Sequence, residues 1–448
     1  MGQFTALHFS LIAGVLVTAL LIGHLLRQRR SPAATLGWIV FMVSAPWLAV
    51  PVYLTLGTRK LRTRSTPGAP VPSAESDTPL GRLLASAGVP PPRPGNQVTW
   101  DRDGIAAWDA LNQIVVGSTR SLDVALFVLH DDVRGRQFMD ALAARARAGV
   151  RVRLLLDGIG SLLLARRRLR ALHAAGVETA WFIPLLHRPL RGRTNLRNHR
   201  KLVIADGARA WSGGRNVGDE YFAADSLWID LSFSVAGPVV VDLALVFAAD
   251  WGFARKRAAE VDCPTPTAVG AHTVQVIPSG PTLARDTLHE LMLTACYSAQ
   301  RRIWISTPYF VPDEALQQAL VLAARRGVAV RLMLPLRSNH RLADLARARY
   351  LRELAAAGAT IRVVPHAMLH AKALLGDDLA LAGSANVDLR SLFLNFELGC
   401  LFHSSADSAA LADWLTRLDA LTVEHRPAPV RWGRGLVEGL VLLAAFQI

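Results

Sequence analysis

The chain has 448 residues, 51% of them hydrophobic, and a formal net charge of +15 from 50 Lys and Arg against 35 Asp and Glu. That length exceeds one hydrophobic core, so two domains with an appendage are expected, and the charge attracts a polyanion, either nucleic acid or an anionic lipid surface. Cys263, Cys296 and Cys400 are far apart with no Cys-x-x-Cys pair, which excludes the usual thiol metal and redox motifs and leaves three small buried thiols.

Phe4 to Leu26 is apolar and almost uncharged, closed by Arg27, Arg29 and Arg30; Thr35 to Leu56 is a second such run, closed by Arg59, Lys60, Arg62 and Arg64. Each is long enough to span a bilayer. The first lacks the charged start and small-residue cleavage site of a signal peptide. Residues 1–64 are therefore expected to form a hairpin of two transmembrane helices, about 4–26 and 35–56. Arginines flank the hairpin on both sides, and the catalytic part is expected on the cytoplasmic face. Ser65 to Gly95, rich in Pro and Ser and including Pro90 to Pro92, reads as a semi-rigid linker.

Beyond the linker, strands alternate with helices, and the series occurs twice. Ser121 to Val128 reads as a buried strand, Gly135 to Ala148 as a helix and Gly149 to Asp157 as the next strand; Arg302 to Ser306, Glu314 to Arg326 and Gly327 to Pro335 repeat it. This alternation indicates an α/β layered fold in each half, with a first domain over 96–260 and a second over 261–430. Domains related by duplication can pack about a pseudo-twofold axis, bringing equivalent motifs face to face. Arg166 to Arg168, Arg170, Arg188, Arg191 and Arg193 form either a phosphate-gripping surface or a solvated face.

Each half carries the pattern His-x-Lys-x-x-x-x-Asp, as His199, Lys201, Asp206 and as His370, Lys372, Asp377, followed shortly by a Gly-x-x-Asn turn. Arg is the default cation of this chain, whose only lysines are Lys60, Lys201, Lys256 and Lys372, yet two of them fall in the motifs. An ammonium is a compact point charge that sits on a phosphate oxygen, and a site shaped for it does not readily accept a planar guanidinium. His and Lys two apart on an extended run leave the same face. In the turns Gly213-Gly214-Arg215-Asn216 and Gly383-Ser384-Ala385-Asn386, the amides of Asn216 and Asn386 and the Ser384 hydroxyl are candidates to hold phosphoryl oxygens. Two imidazoles across a phosphodiester suit double displacement, one attacking phosphorus and the other moving protons. With Lys201 and Lys372 neutralising the non-bridging oxygens, neither a divalent metal nor another cofactor is required.

Several stretches resemble the phospholipase D superfamily and, from the hairpin to about Glu397, its bacterial cardiolipin synthase branch. They are Leu196-Arg-Asn-His-Arg-Lys201, Gly213-Gly-Arg-Asn-Val-Gly-Asp-Glu-Tyr221, Gln275-Val-Ile-Pro-Ser-Gly-Pro281, Thr307-Pro-Tyr-Phe-Val-Pro-Asp313, and Asn386-Val-Asp-Leu-Arg-Ser391 with Asn395-Phe-Glu397. Thr35 to Gly57 is similar to the second membrane segment of that branch. The resemblance implies two tandem phospholipase D-like α/β sandwich domains packed about a pseudo-twofold axis after an N-terminal two-helix membrane hairpin. It implies transfer between two phosphatidylglycerol molecules, giving cardiolipin and glycerol through a phosphatidyl-histidine, with His199 as nucleophile and His370 as acid and base or the reverse. It further implies that Asp206 and Asp377 orient motif elements, and that Glu397 and one of Glu220 or Asp230 hydrogen-bond the histidines. Expected partners are phosphatidylglycerol, other anionic phospholipids and a bacterial inner membrane, with no nucleic acid. Ile229 replaces the Arg common in the branch, and Phe127-Val-Leu129 its usual Tyr-Ile-Phe. A hydrolytic phospholipase D and, further off, a superfamily nuclease are the alternatives. At the C-terminus, residues 431–448 are expected to lie in the membrane interface, the apolar run Leu436 to Ile448 being too short to span.

Overall fold

The computed structural model describes residues 2–28, 32–57, 59–61, 78–184, 194–223, 226–258, 266–430 and 432–443, with side chains of the first helix described from Ile12. Cys263, Arg188, Arg191, Arg193 and residues 65–77 of the expected linker lie outside the described residues. In the first half the strands are β1 (Arg93–Asp101), β2 (Ser121–Leu126), β3 (Arg151–Asp157), β4 (Glu178–Phe182), β5 (Leu202–Ala205), β6 (Arg209–Gly213), β7 (Trp228–Ile229) and β8 (Ser232–Ala236). The second half has β9 (His272–Ser279), β10 (Arg302–Ser306), β11 (Phe310–Val311), β12 (Ala329–Pro335), β13 (Thr360–Val364), β14 (Met368–Leu369), β15 (Ala373–Gly376), β16 (Leu379–Gly383), β17 (Val387–Asp388), β18 (Glu397–Phe402) and β19 (Val423–Glu424).

Fifteen of these strands form one mixed sheet in the order β19-β13-β12-β10-β15-β16-β18-β9-β1-β8-β6-β5-β2-β3-β4. Parallel trios, β2-β3-β4 and β10-β12-β13, sit toward the two edges. Antiparallel strands fill the middle, where β1 meets β9 with Asn96 opposite His272. The central residues of the parallel strands are buried on both faces, which is why Val-Ala-Leu in β2 and Leu-Leu-Leu in β3 read as continuous apolar runs.

On one face each half has its own core. Helices Gly104–Val116 and Val133–Arg147 cover Val124, Leu126 and Leu154, whereas Thr287–Ser298 and Glu314–Arg325 cover Ile303, Ile305 and Leu332. On the other face a single core runs across both halves, joining Leu243 and Phe247 of helix Val240–Arg255 to Leu411, Trp414 and Leu415 of helix Ser405–Ala420. Trp100 on β1 packs against Phe402 on β18 with ring centroids 4.6 Å apart. Sequence signals mark the helix ends: Asp103 and Asp132 each accept a backbone N–H at an N-terminus, 2.8 Å in both cases. Gly149 and Gly327 take φ of +89° and +88° just past the C-termini, a conformation that costs glycine least.

Two expectations about the flanks are corrected. The second apolar run is not one helix; it breaks at Ala45 (φ −144°, ψ 64°) into Pro32–Ser44 and Pro46–Leu56, because the residue before a proline is pushed out of the helical region. Both pieces fold back on the helix Gly2–Leu26, where His24 Nδ1 and the Tyr53 hydroxyl are 2.9 Å apart. Among the described residues no helix is long and apolar enough to cross a membrane. The expected linker, in turn, contains ordered structure: helix Pro79–Ser86, capped by Thr78 and burying Leu84 in the second-half core, and the start of β1. The helical segment is clamped to the second half near Asp286, which Arg59 and Lys60 approach at 3.1 and 2.7 Å.

The C-terminal helix Trp432–Leu443 packs on the fold. Val441 and Leu442 pack against Val311, Ala346 and Leu389, and buried Glu438 pairs with Arg352. An ionised side chain that is 2% exposed is satisfied by that partner, which ties the segment expected in the membrane interface to helix Arg341–Ala356.

Candidate active site

Each motif histidine is placed by backbone contact with the opposite half. His199 N donates to Phe396 O at 2.9 Å, and Phe396 N to Arg197 O at 2.8 Å. In the counterpart arrangement β14 runs parallel to β7, and His370 N donates to Ile229 O at 2.7 Å. Phe396 and Ile229 are the residues immediately before Glu397 and Asp230. The backbone register therefore delivers one carboxylate to each ring: His199 Nδ1 lies 3.0 Å from Glu397 Oε1, and His370 Nδ1 lies 2.7 Å from Asp230 Oδ2. All four side chains are buried.

Both carboxylates are held in place from behind. Ser384 Oγ and Asn395 Nδ2 donate to Glu397, the latter at 3.2 Å. Leu231 N donates to Asp230 Oδ1 at 2.8 Å, and the Arg215 guanidinium donates to the Asp230 main-chain carbonyl at 2.5 Å. Burial pushes the Glu397 carboxyl up, but His199, Lys201 and Ser384 outweigh burial and hold it below the usual range. For Asp230 the opposing groups are Lys372, His370 and Arg215, with the same result.

The imidazoles shift the other way. Burial lowers His199 to about 4 and His370 to about 3, assisted in each case by the charges of both motif lysines. Both are neutral at pH 7, with Nδ1–H donating to a carboxylate and the Nε2 lone pair directed away from it. Each ring also has aromatic neighbours: Phe127 stands edge-on to His199 at 4.9 Å, and Tyr221 and Trp228 stand 5.5 and 5.2 Å from His370.

The lysines are buried beside their histidines. Lys201 Nζ donates to the His199 carbonyl at 2.6 Å and lies 5.4 Å from the Phe127 ring centroid. Lys372 Nζ lies against the His370 ring, 2.8 Å from Nδ1 and 3.0 Å from Nε2. Burial lowers both ammonium groups, Lys372 to about 8, and Lys372 depresses Lys201 further, so the two motifs act on one another electrostatically.

The remaining expected site residues lie elsewhere or are already engaged. Asp206 and Asp377 are in left-handed turns at the ends of β5 and β15 away from the histidines, each beyond a four-residue strand about 13 Å long at ~3.3 Å per residue. Asp206 accepts backbone N–H groups from Thr119, Arg120 and Ser121, and Asp377 from Gln300, Arg301 and Arg302. Both aspartates thus fasten the turns that follow β5 and β15. Glu220 faces His130 at 3.4 Å rather than a motif histidine. Asn216 spends its amide on Val128 N and the Tyr221 hydroxyl, and Ser384 is committed to Glu397. Buried Asn386 has an Oδ1 without a partner among the described residues. Phe127, Tyr221, Trp228, Arg215 and Asn395 were not singled out as site residues, although all lie within three residues of ones that were or in a stretch already noted. Among the described residues no three His, Cys, Asp or Glu side chains are grouped to hold a metal ion.

Residues 111–235 and 292–418 match the family described as "Cardiolipin synthase, PLD-like domain". The chain is 33% identical over 404 residues to cardiolipin synthase A of Pseudomonas entomophila, covering 84% of each, and 31% identical over 439 residues to cardiolipin synthase of a Geobacillus species, covering 90% of this chain and 88% of that one. The crystal structure of phosphatidylserine synthase from Haemophilus influenzae superposes with a TM-score of 0.61 at 14% identity, over 79% of this chain and 95% of that one, which shows a shared fold.

Proposed function

The chain belongs to the cardiolipin synthase family with phospholipase D-like domains, and from that premise we propose that its paired motifs form one site for phosphatidyl transfer between two phosphatidylglycerol molecules. The observation that carries the reading is the reciprocal exchange of carboxylates, Glu397 to His199 and Asp230 to His370. It fits two halves related by a pseudo-twofold axis near the β1 and β9 junction.

His199 Nε2 attacks the phosphorus of the first phosphatidylglycerol while the bond to the glycerol headgroup oxygen breaks. His370, in its imidazolium form, gives that oxygen a proton, and glycerol leaves. The 1- or 3-hydroxyl of a second phosphatidylglycerol then attacks the phosphatidyl-histidine. His370 takes its proton, releasing cardiolipin and a neutral His199. Pseudo-symmetry leaves the two roles exchangeable in principle, and the assignment is tested below.

Burial, and with it the charge of Lys372, whose Nζ lies 2.8 Å from His370 Nδ1 and 3.0 Å from Nε2, keeps that ring neutral. An arriving phosphodiester draws the ammonium onto its oxygens, which removes the Lys372 part of that opposition, and His370 Nε2 takes up a proton from solvent to give an imidazolium that the Asp230 carboxylate stabilises. Lys201 meets the oxygens from the other motif. The N-terminal helices are the bilayer anchor in this reading, because headgroup phosphodiesters are reached only at a membrane surface. A bacterial inner membrane with the enzyme on its cytoplasmic face completes the proposal.

The deciding experiment incubates purified protein with headgroup-labelled phosphatidylglycerol in vesicles. Cardiolipin and free glycerol are expected; phosphatidic acid as the only lipid product would assign the protein to the hydrolases instead.

A further inference from the structure

Away from the paired motifs, between helix Arg341–Ala356, the end of β12 and residues 425–428, lies a cavity of about 810 Å³ lined by Arg337, Arg341, Arg347, Arg352 and Arg426. Among the described residues Asp344 is its only lining carboxylate. Arg352 and Arg426 have acidic partners, Glu438 and Glu424. Arg337 and Arg341 are exposed and form no ion pair among the described residues.

Arg347 differs from both pairs. It is 7% exposed, its Nη2 donates to Leu336 O at 2.8 Å and lies 3.2 Å from Asp344, and its buried Nη1 has no partner among the described residues. A guanidinium buried with an unmet donor and a single shared carboxylate is costly unless an anion completes it. Burial lowers its pKa against the pull of Asp344, which is consistent with incomplete compensation.

We propose that this cavity is a second, non-catalytic site that binds the phosphate of an anionic phospholipid headgroup. Arginine suits a phosphodiester because its fork matches two phosphate oxygens. The lipid is favoured over free phosphate by Leu336, Leu345 and Leu351, which line the same cavity and offer an apolar wall to a glycerol backbone and the first acyl carbons. Its neighbour, helix Trp432–Leu443, is itself apolar along much of its length. The inference does not depend on the transfer reaction.

The test uses full-length protein in detergent and native mass spectrometry, counting lipids retained as phosphatidylglycerol or phosphatidylcholine is added. The wild type retains one more phosphatidylglycerol than the Arg337→Ser/Arg341→Ser variant, whose half-saturation for that lipid rises about tenfold or more, as loss of two interfacial arginines implies. Phosphatidylcholine retention is equal in the two proteins, and Arg337→Lys/Arg341→Lys keeps part of the binding. Both residues are exposed, so the fold survives, which circular dichroism verifies. Equal retention of phosphatidylglycerol by wild type and the Ser variant overturns the proposal; so does displacement of the extra lipid by millimolar inorganic phosphate, which identifies a free-phosphate site. Because the readout is retained lipid and not product, neither result bears on the active-site reading.

Discussion

Glu397→Gln removes one negative charge from beneath His199 with almost no change in shape. The carboxylate is fully buried, lies 3.0 Å from His199 Nδ1, and also accepts from Ser384 and Asn395. Replacing a charge-assisted hydrogen bond to the ring by a neutral one loses about 1.5–3 kcal/mol of support for the charge that develops on the imidazole, or roughly tenfold to a hundredfold in rate. A second effect has the same sign. If the Gln amide donates to Nδ1, the proton moves to Nε2 and the attacking lone pair is lost; a tautomer error of this kind in a serine protease triad costs ~10⁴-fold. The expected fall in kcat is thus about 10²- to 10⁴-fold, concentrated in formation of the phosphoryl-enzyme. Rapid acid-sensitive trapping with labelled phosphatidylglycerol measures that step directly, and circular dichroism verifies the fold. A well-folded Gln variant forming adduct within about threefold of the wild-type rate would refute the claim that Glu397 orients and supports the nucleophile.

His199→Ala is expected to abolish acid-labile phosphoryl-protein, whereas His370→Ala slows its formation and turnover; trapping that persists only in His199→Ala would exchange the two roles. Lys201→Arg is expected to be nearly as damaging as Lys201→Ala, because the ammonium is 0% exposed and a larger planar cation overpacks its space; near-normal turnover would undo the point-charge argument. Since burial lowers His199 to about 4, the acid limb of kcat/KM for the free enzyme should fall near pH 4 and not near the ordinary histidine value of about 6.5. Between those values the unfolded chain binds more protons at these histidines than the folded one, so their contribution to stability rises with pH across that window and is lost on acidification, which urea melts at several pH values measure. Asp206→Asn and Asp377→Asn are expected to lower the melting temperature through hydrogen bonds worth ~1 kcal/mol each, while kcat at saturating lipid stays within about threefold; a loss as large as that of His199→Ala would return these aspartates to the chemistry.

Local periodicity is enough to locate β2, β3, β10 and β12 and the helices between them, with shifts of at most two residues at their ends. Runs buried on both faces and helices ended by Gly149 and Gly327 are strong signals because the backbone itself enforces them. The motif histidines and lysines were legible for a different reason, their matched recurrence in an arginine-dominated chain. Choosing Asp230 over Glu220 was beyond sequence reasoning, since it depends on β7 meeting β14 from the other half. Ser384 and Asn216 are residue types that hold phosphate equally well in a list of motifs; only the fold shows them bonded to Glu397 and Tyr221. In residues 65–95 the prolines mask the Thr78 cap and the apolar face behind it. Hydropathy alone joins the second apolar run into one helix, although Pro46 and Pro51 stand within it.

The traded carboxylates make the two halves interdependent in a way that a bead-on-string duplication is not. Either half alone would hold an imidazole stripped of its acid and an acid with nothing to steady. A solitary copy of this unit becomes chemically competent only when a twin lies against it along the free edge that β1 or β9 would present, and a lesion in one twin disables the residue its sibling depends on.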